Sequence, residues 1–578
     1  MFRRVLRSRL FIPLICFILT TPAFYFLLKP GIYWNMHDDM QMIRQLEMEK
    51  CFQDGQIPCR WTPDLGYGYG YPLFNFYPPL PFLIGEPFRL LGLSFVSAIK
   101  LTALLQIVLS AGFMYLLGLE LVGPFGALLG SLFYTYAPYH AVNVYVRGAM
   151  NEAWAAVFFP LIFLFSYRFV KKSNLLDLLG LSISFGLILL SHNPMALIIS
   201  PFLLVWVLFW SYQKYKLKFK PLLSLSLKLL CAGFLAIFLS AFYTLPVLFE
   251  SRFVQINSMF QGYYNYTVHF VSVFQLFISN IWGDGPSIWG PLDQLSFSVG
   301  YLQWIIPLLG IILIIYLCFR KKIKINIFIP FFILTMFGLF SAFMTHERSS
   351  FIWRLIPTLQ KIQFPWRFLN LSNFFFSAAV IFTPLIISKF ISSKPIRLII
   401  YLSLSILVVI INYQNFYPIT SGPLSDQQKF QGIAWNNQIT SGIYDYLPKT
   451  ADRAAQKAAT EYVDKVEPPT SKYIISGQKH GTDWLFFSLS LDNQAKVTIS
   501  QLYFPDFKIF DYDKEISFTV EPEFGRMVID LSPGYHQLYV KLFNTPIRTV
   551  SNIISLMAWL SVVIYLLFST WKRWKSKN

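Results

Sequence analysis

Long apolar runs alternate with short polar connections along most of the chain. A helix needs about 20 apolar residues to cross the ~30 Å hydrocarbon core of a bilayer, and runs of about that length recur. The pattern therefore predicts about twelve membrane-spanning helices, which keep all backbone polar groups paired inside the lipid. The predicted spans are 9–29, 97–118, 123–140, 152–170, 174–192, 194–212, 224–245, 299–319, 325–344, 370–390, 396–412 and 549–569.

Composition supports a polytopic membrane protein. Hydrophobic residues make up 55% of the 578 residues and charged residues only 13%, which is more apolar surface than one soluble core buries. The net charge of +19 is divided among basic clusters between the spans, so it indicates membrane topology and no nucleic-acid partner. The clusters are Arg3, Arg4, Arg7 and Arg9; Arg168, Lys171 and Lys172; Lys214, Lys216, Lys218 and Lys220; Arg320, Lys321, Lys322 and Lys324; Lys389, Lys394 and Arg397; and Lys572, Arg573, Lys575 and Lys577.

The positive-inside rule places every one of these clusters in the cytoplasm if both termini are cytoplasmic and twelve helices cross. Segment 80–95 must then lie in the membrane interface or re-enter from outside, because one more crossing would invert the later spans. The first span has a basic flank like that of a signal peptide, but its apolar run is too long and no small-residue cleavage site follows. We therefore expect 9–29 to be a retained anchor.

This topology leaves four substantial segments on the extracytoplasmic side, among them 30–96 and 413–548. The cytoplasmic loops are short and carry no GxxxxGK[ST] phosphate loop, which argues against an ATP-driven pump. The sequence predicts three parts: a transmembrane domain (1–412), whose first outer loop is 30–96, an extracytoplasmic domain (413–548), and a final helix with a basic tail (549–578).

From about residue 473, the last outer segment changes to short runs of alternating hydrophobicity separated by turn residues. Examples are WLFFSLSL (484–491), AKVTISQLYF (495–504) and YHQLYVKLF (535–543). The pattern predicts a small antiparallel β-sandwich or jelly roll. In one interpretation this module binds carbohydrate through exposed aromatics such as Trp484 and Tyr503, and in the other it is a packed lid.

Two of the five cysteines, Cys51 and Cys59, share the first outer loop, where an oxidising compartment permits a disulfide. The sequence leaves a disulfide and two free thiols as alternatives. Their spacing matches no zinc site and no pair of histidines accompanies them, so we assign no metal ligands. A requirement for a divalent cation stays open.

The acids directly after the first span are the strongest candidates for chemistry. Asp38 and Asp39 precede apolar residues at helical spacing, such as Met40 and Ile43, which predicts an amphipathic helix along the membrane. In the structural interpretation one aspartate caps that helix. In the functional interpretation a carboxylate here acts as general base toward an acceptor hydroxyl. His37 is a candidate for tuning that acid or for contacting phosphate.

Charged residues also lie at the predicted outer ends of later spans, where charge is costly unless it is paired or functional. Arg147 and Glu152 form an ion pair that holds a helical hairpin in one interpretation, and in the other Arg147 grips a phosphate through two donors. Arg367, in QFPWRF, either snorkels to the interface or binds an anionic headgroup. His192, in SHNP, is a weaker candidate.

Seven motifs together carry a resemblance to a known family. They are HDD (37–39), GQIPCRW (55–61), GYGYGYPLFNFYPPLP (66–81), YVRGAMNEAWA (145–155), SHNP (191–194), AFYTLPVLFE (241–250) and QFPWRF (363–368). With these motifs the chain resembles a bacterial integral membrane family labelled as related to 6-pyruvoyl-tetrahydropterin synthase and similar to YfhO-like proteins. Its seven scattered histidines lack the zinc-binding cluster that a soluble pterin enzyme needs, so we discount the synthase label.

Both families resemble the GT-C fold of polytopic glycosyltransferases, which use polyprenyl-phosphate sugars and carry a catalytic acid in the first outer loop. The resemblance implies Asp38 as the catalytic acid, with Asp39 as the second choice. It also implies a histidine a few residues past the first acid, where this chain instead has MQM at 40–42. The predicted substrate-binding residues are His37, Arg60, Arg147, Glu152, His192 and Arg367.

These features predict a mainly α, GT-C-like polytopic membrane protein with a small β-rich outer domain. We expect a glycosyltransferase that moves a sugar, with inversion, from a polyprenyl-phosphate donor to a glycan or lipid acceptor of the cell envelope. It would act on the extracytoplasmic face of the cytoplasmic membrane of a prokaryote, among membrane lipids. Two alternatives stay open, a lipid-linked glycan transporter or flippase and a non-catalytic envelope-assembly protein. A transporter would need charges lining a path through mid-membrane, whereas the strong charges here cluster at the outer boundary.

Overall fold

The computed structural model describes residues 11–290, 292–321, 323–459 and 462–575. Within them, ten helices are long and apolar enough to cross a membrane, which confirms the mainly helical, multi-pass architecture. They are Phe11–Leu28, Phe95–Leu121, Met150–Lys172, Asn193–Tyr215, Phe219–Leu239, Tyr301–Phe319, Ile325–Met344, Pro365–Phe390, Lys394–Asn415 and Pro546–Lys575.

The other two predicted spans form shorter helices. Leu175–Ser191 has 17 residues. Segment 123–140 forms the 12-residue helix Pro124–Thr135 and most of the short helical turn Pro138–Ala141, which a second turn, Val142–Val146, follows. Broken helices are tolerated at membrane depth where protein covers them, and these turns are buried. Twelve crossings therefore stay a prediction. The predicted basic residues Arg3, Arg4, Arg7, Arg9, Lys322 and Lys577 lie outside the described residues.

The predicted orientation can be checked with single cysteines. A cysteine replacing Lys216 should react with a membrane-impermeant maleimide only from the cytoplasm, and one replacing Asp492 only from the opposite side. Both positions are exposed to solvent, so reagent access is not limiting. The native thiols Cys231 and Cys318 are first replaced by serine as a background control. Labelling of position 492 from the cytoplasm would overturn the orientation.

The chain divides into two compact units. The first comprises the described residues up to Asp39, together with Val96–Ala236 and Phe260–Leu424. The second comprises Met40–Phe95, Ile237–Met259 and the described residues from Ser425 onward. The domain limits near 412 and 548 stay predictions.

Helix packing in the first unit centres on Ile329–Met344 and Leu369–Val380. Gly338 permits their close approach, because a Cβ there would lie 2.8 Å from a phenylalanine ring of the partner helix. Small residues at such contacts let the backbones of membrane helices come together. A short antiparallel pair joins Ile32–Trp34 to Ser421–Pro423, so the chain leaving Phe11–Leu28 meets the chain leaving Lys394–Asn415. Shorter helices of this unit are Val273–Phe277, Ser350–Leu355 and Pro357–Gln360.

The second unit begins with the helices Gln41–Gln53, Leu73–Phe76 and Leu80–Leu90. The prediction of an amphipathic surface helix after Asp39 is wrong, because Gln41–Gln53 buries its polar as well as its apolar side chains. Gln45, for example, is fully buried and donates to Glu86 Oε1 at 2.5 Å. Leu80–Leu90 has 11 residues, which is too few to cross a bilayer. The other helices of this unit are Ala241–Glu250, Asp426–Lys429, Gly432–Thr440 and Pro546–Lys575.

Cys51, on the first of these helices, and Cys59 form a disulfide with 5.4 Å between their Cα atoms. The structure thus resolves the two alternatives for this pair in favour of the bridge. The indole of Trp61, two residues further on, is fully buried among the core side chains of the unit. The bridge therefore closes a short loop next to the core.

Two antiparallel sheets confirm the β-rich segment, which begins at Val463, somewhat earlier than predicted. Their facing side chains share one core, in which Phe487, Val497, Ile529 and Val540 are fully buried. In sheet order, the four-stranded sheet is Val463–Glu467, Ala495–Leu502, Arg526–Leu531 and Thr519–Val520. The five-stranded sheet is Tyr473–His480, Trp484–Leu491, Gly534–Leu542, Phe507–Asp511 and Lys514–Ile516.

The two aromatics proposed for carbohydrate binding are engaged within the second unit. The Trp484 indole N–H donates to Asp54 Oδ1 at 3.2 Å. The ring of Tyr503 packs on that of Phe518, with 5.6 Å between centroids. Both side chains are half-buried, which favours the packed-domain interpretation.

Candidate active site

The candidate site is built where the broken helix of the first unit reverses direction. The turn Val142–Val146 ends at Arg147, and the helix Met150–Val157 begins three residues later. Gly148 makes the reversal with a φ of +63°, a left-handed conformation that glycine adopts without strain. The reversal brings Arg147 back toward Glu152.

Glu152 is the centre of the site. Its carboxylate is 1% exposed and accepts four donors. Oε1 accepts the hydroxyl of Tyr139 at 3.0 Å and Nδ2 of Asn370 at 2.6 Å. Oε2 lies 3.0 Å from Arg147 Nη1 and 3.2 Å from Arg367 Nε. The four donors hold this carboxylate in place, and the carboxylate in turn fixes both guanidinium groups.

Each arginine has further partners that fix the orientation of its guanidinium group. Arg147 Nη1 donates to Asn143 Oδ1 at 2.6 Å, and its guanidinium carbon lies 4.4 Å from the centre of the Trp366 ring. Arg367 Nη1 donates to the carbonyl of Ile362 at 2.6 Å. The two side chains keep 10% and 11% exposure, so part of each reaches the surface of the cluster. Glu152 thus holds two guanidinium groups with one carboxylate.

The predicted acid lies directly against this cluster. The backbone N–H of Asp38 donates to the carbonyl of Arg147 at 3.0 Å, and that of His37 donates to the carbonyl of Val146, also at 3.0 Å. Burial alone would lower the pKa of Arg147, but the charges of Glu152 and, more weakly, Asp38 outweigh it and raise that pKa. The structure therefore brings the backbone of Asp38 and His37 to the segment that ends at Arg147. The His37 ring bonds through Nε2 to the Asp284 carbonyl at 2.7 Å.

The capping interpretation of the aspartates is wrong in its geometry. Helix Gln41–Gln53 has Met40 at its N-cap position, so neither Asp38 nor Asp39 occupies it. Both aspartates are half-buried. Burial, followed by the negative charges of Asp39 and Asp38, raises the pKa of Tyr33 well above its usual value. The two acids therefore share one environment.

His192 and Arg60 have structural partners of their own. His192 Nδ1 accepts the backbone N–H of Met195 at 3.3 Å and caps the helix Asn193–Tyr215. Arg60 belongs to the second unit, where it donates to Asn75 Oδ1 at 3.0 Å and Asn552 Oδ1 at 2.7 Å. Burial, and then the charge of Arg548, lower the pKa of Arg60 to about 9.

Sequence reasoning missed Tyr139, Asn143 and Asn370, which complete the shell around Glu152. All three are at most 1% exposed. The sequence did contain a signal for them, because a polar residue inside an apolar run needs a buried partner or a function. In the part of the chain that the structure describes, no cluster of three or more His, Cys, Asp or Glu side chains is arranged to hold a metal ion.

Part of the chain is similar in sequence to a known family. Residues 77–256 match the family model described as dolichyl-phosphate-mannose-protein mannosyltransferase. That stretch includes Arg147, Glu152 and His192 but neither Asp38 nor Arg367. The similarity supports the predicted likeness to membrane glycosyltransferases, whereas the likeness to YfhO-like proteins stays a prediction.

Two further similarities cover other shares of the chain. An uncharacterized protein of Lactococcus lactis subsp. cremoris (strain MG1363) is 26% identical over 215 residues, which are 36% of this chain and 34% of that protein. The apo crystal structure of the Archaeoglobus fulgidus oligosaccharyltransferase aligns with a TM-score of 0.39 and 13% identity, covering 79% of this chain and 62% of that chain. This chain thus covers about a third of the Lactococcus protein and less than two thirds of the archaeal chain.

The turn at Gly148 gives a first prediction for stability. A Cβ there would lie 2.2 Å from Met36 Sδ, and the φ of +63° disfavours any side chain. Gly148→Ala should therefore lower the free energy of unfolding by about 1–3 kcal/mol, measured by thermal unfolding in detergent. The matched control is Gly112→Ala, at a helical position with nothing within 4 Å of the new Cβ. Equal melting temperatures for the two variants would contradict the strained turn.

Proposed function

We propose that this chain is a membrane glycosyltransferase that moves a sugar from a polyprenyl-phosphate donor to a cell-envelope acceptor on the extracytoplasmic face. The observation that carries the proposal is the pair Arg147 and Arg367, fixed by Glu152 and joined through the backbone to Asp38. The family match over 77–256 supports the reaction class.

The two arginines suit a phosphate group. Guanidinium donors bind phosphate oxygens through paired, charge-assisted hydrogen bonds. The side chains of Arg147 and Arg367 keep 10% and 11% exposure beside Glu152, which leaves both of them within reach of an anion. A rigid, pre-charged site also stabilises negative charge that develops on a departing phosphate.

Asp38 acts as the general base in this proposal. Its carboxylate removes the proton from an acceptor hydroxyl as that oxygen attacks the anomeric carbon of the donor. The bond from the anomeric carbon to the phosphate oxygen breaks, and the polyprenyl phosphate leaves with its new negative charge facing the arginines. One displacement of this kind inverts the anomeric configuration, with no covalent enzyme intermediate.

Donor binding by the arginines is tested by conservative substitution. Arg147→Lys and Arg367→Lys keep the charge but lose the forked donor, and each charge-assisted bond contributes about 1.5–3 kcal/mol. Each variant should therefore bind a polyprenyl-phosphate sugar about 10-fold more weakly or worse, as measured with the purified protein and a panel of donors.

The matched control is Arg168→Lys, at the far end of the candidate span Met150–Lys172, where Arg168 pairs with Asp177 at 3.0 Å. Donor binding should be unchanged in that variant. Wild-type binding by both site variants would return Arg147 and Arg367 to a purely structural role. Binding or translocation of the lipid-linked sugar without transfer to any acceptor would instead favour the assembly protein or the transporter.

A further inference from the structure

The first unit also contains a groove of about 690 Å³, apart from the cluster around Glu152. Sites that bind small molecules typically have volumes of about 300–1,000 Å³ and mostly apolar walls. One wall is the end of the first helix, and the other is the chain that follows the helix Lys394–Asn412. The lining residues that matter here are Ile18, Thr21, Tyr25, Phe26, Tyr413 and Tyr417.

The groove lies at one end of two candidate membrane spans, Phe11–Leu28 and Lys394–Asn415. The strands Ile32–Trp34 and Ser421–Pro423 pair directly beyond them, so both spans end on the same side. Tyr25 is 61% exposed, and such half-polar rings are typical of the boundary between hydrocarbon and water. The groove therefore opens where lipid headgroups meet acyl chains.

Two lysines place positive charge at this groove. Lys29 Nζ donates to the hydroxyl of Tyr417 at 3.0 Å and lies 4.8 Å from the centre of that ring. Lys100 is 3% exposed, and its Nζ lies 5.8 Å from the centre of the Phe26 ring while donating to the carbonyl of Ile32 at 2.9 Å. Among the described residues, neither lysine forms an ion pair with a carboxylate. The charge there is unbalanced.

We propose that the groove binds an anionic glycerophospholipid, with its phosphate against Lys29 and one acyl chain along the first helix. From Ile18 to Tyr25 the helix rises about 10 Å, which accommodates the upper half of an acyl chain. A soluble anion would bind the lysine but would not contact the apolar wall of the groove. An uncharged lipid would contact the wall but would not balance the charge of the lysines. The bound lipid stabilises the folded state by mass action. This site is independent of the proposed sugar transfer.

The test uses the purified full-length protein, delipidated in detergent. It is titrated with phosphatidylglycerol, phosphatidylcholine or glycerol 3-phosphate, with bound lipid counted by native mass spectrometry and the melting temperature followed in parallel. Phosphatidylglycerol should bind about 10-fold more tightly than phosphatidylcholine, because only its phosphate lacks a covalently attached cation. Lys29→Gln should weaken phosphatidylglycerol binding by about 10-fold.

Two more variants separate the parts of the site. Thr21→Phe, which fills the groove, should reduce lipid binding without affecting glycerol 3-phosphate. Lys389→Gln removes an exposed lysine at the end of the span Pro365–Phe390 and should change nothing. The proposal is overturned if both lipids bind equally, if Lys29→Gln or Thr21→Phe binds phosphatidylglycerol like wild type, or if glycerol 3-phosphate binds as tightly as the lipid.

Discussion

Glu152→Gln should destabilise the folded protein by about 3–5 kcal/mol, because it removes the carboxylate that pairs directly with the buried guanidinium groups of Arg147 and Arg367. Glutamine retains the shape of the side chain and can still accept a hydrogen bond from Tyr139. The loss of stability therefore reports the contribution of the carboxylate charge. The measurement is unfolding in detergent micelles at fixed detergent and protein concentrations.

The matched control for this prediction is Glu120→Gln. Glu120 pairs with Lys172 at 2.9 Å, but that pair is exposed, and exposed pairs contribute only about 0–1 kcal/mol. A double variant, Glu152→Gln with Arg147→Gln, should recover part of the loss, since the two side chains share one interaction. Equal losses for Glu152→Gln and Glu120→Gln would show that the cluster does not depend on its central charge.

The helical architecture was predictable from composition and run length, but hydropathy alone did not predict the break near Pro138. Hydropathy over 123–140 is continuous, so the pattern predicts one span, whereas the chain forms a 12-residue helix and two short turns. Pro138 and Gly148 were signals of the break, since proline and glycine interrupt helices. The break in the helix positions the candidate site, because it turns Arg147 back toward Glu152.

Local pairs in the site were visible in the sequence, and distant ones were not. Arg147 and Glu152 are five residues apart, and their ion pair was one of two interpretations that the sequence allowed. Arg367 joins the same carboxylate from 215 residues further along the chain, and no single-sequence signal fixes such a contact. The partners of Arg60 were equally invisible in its motif, since its guanidinium donates to Asn75 and Asn552 of the second unit, and its role in substrate binding stays a prediction.

The wrong prediction of an amphipathic surface helix after Asp39 has a similar cause. Apolar residues at helical spacing predict which face of Gln41–Gln53 is buried but not whether the other face is covered as well. Its polar residues find partners from later in the chain, as Gln45 does with Glu86. A periodic pattern cannot reveal those partners.

The last prediction separates chemistry from structure at the two neighbouring acids. Asp38→Asn retains the backbone N–H that donates to Arg147, and it retains most of the side-chain volume, but it cannot accept a proton. Loss of a general base typically lowers the rate by about 10²–10⁴-fold. Transfer should therefore collapse in Asp38→Asn while its melting temperature stays close to that of wild type.

Asp39→Asn is the matched control for Asp38→Asn, because both acids are half-buried and both act on the pKa of Tyr33. The backbone N–H of Asp38 donates to the Arg147 carbonyl, which ties Asp38 to the proposed donor site, so Asp39→Asn should reduce transfer much less. The reverse order of effects would assign the base to Asp39. If neither variant affects a demonstrated transfer activity, the acid that follows the first span does not act as the base, because removing the only proton acceptor of a displacement cannot leave its rate unchanged.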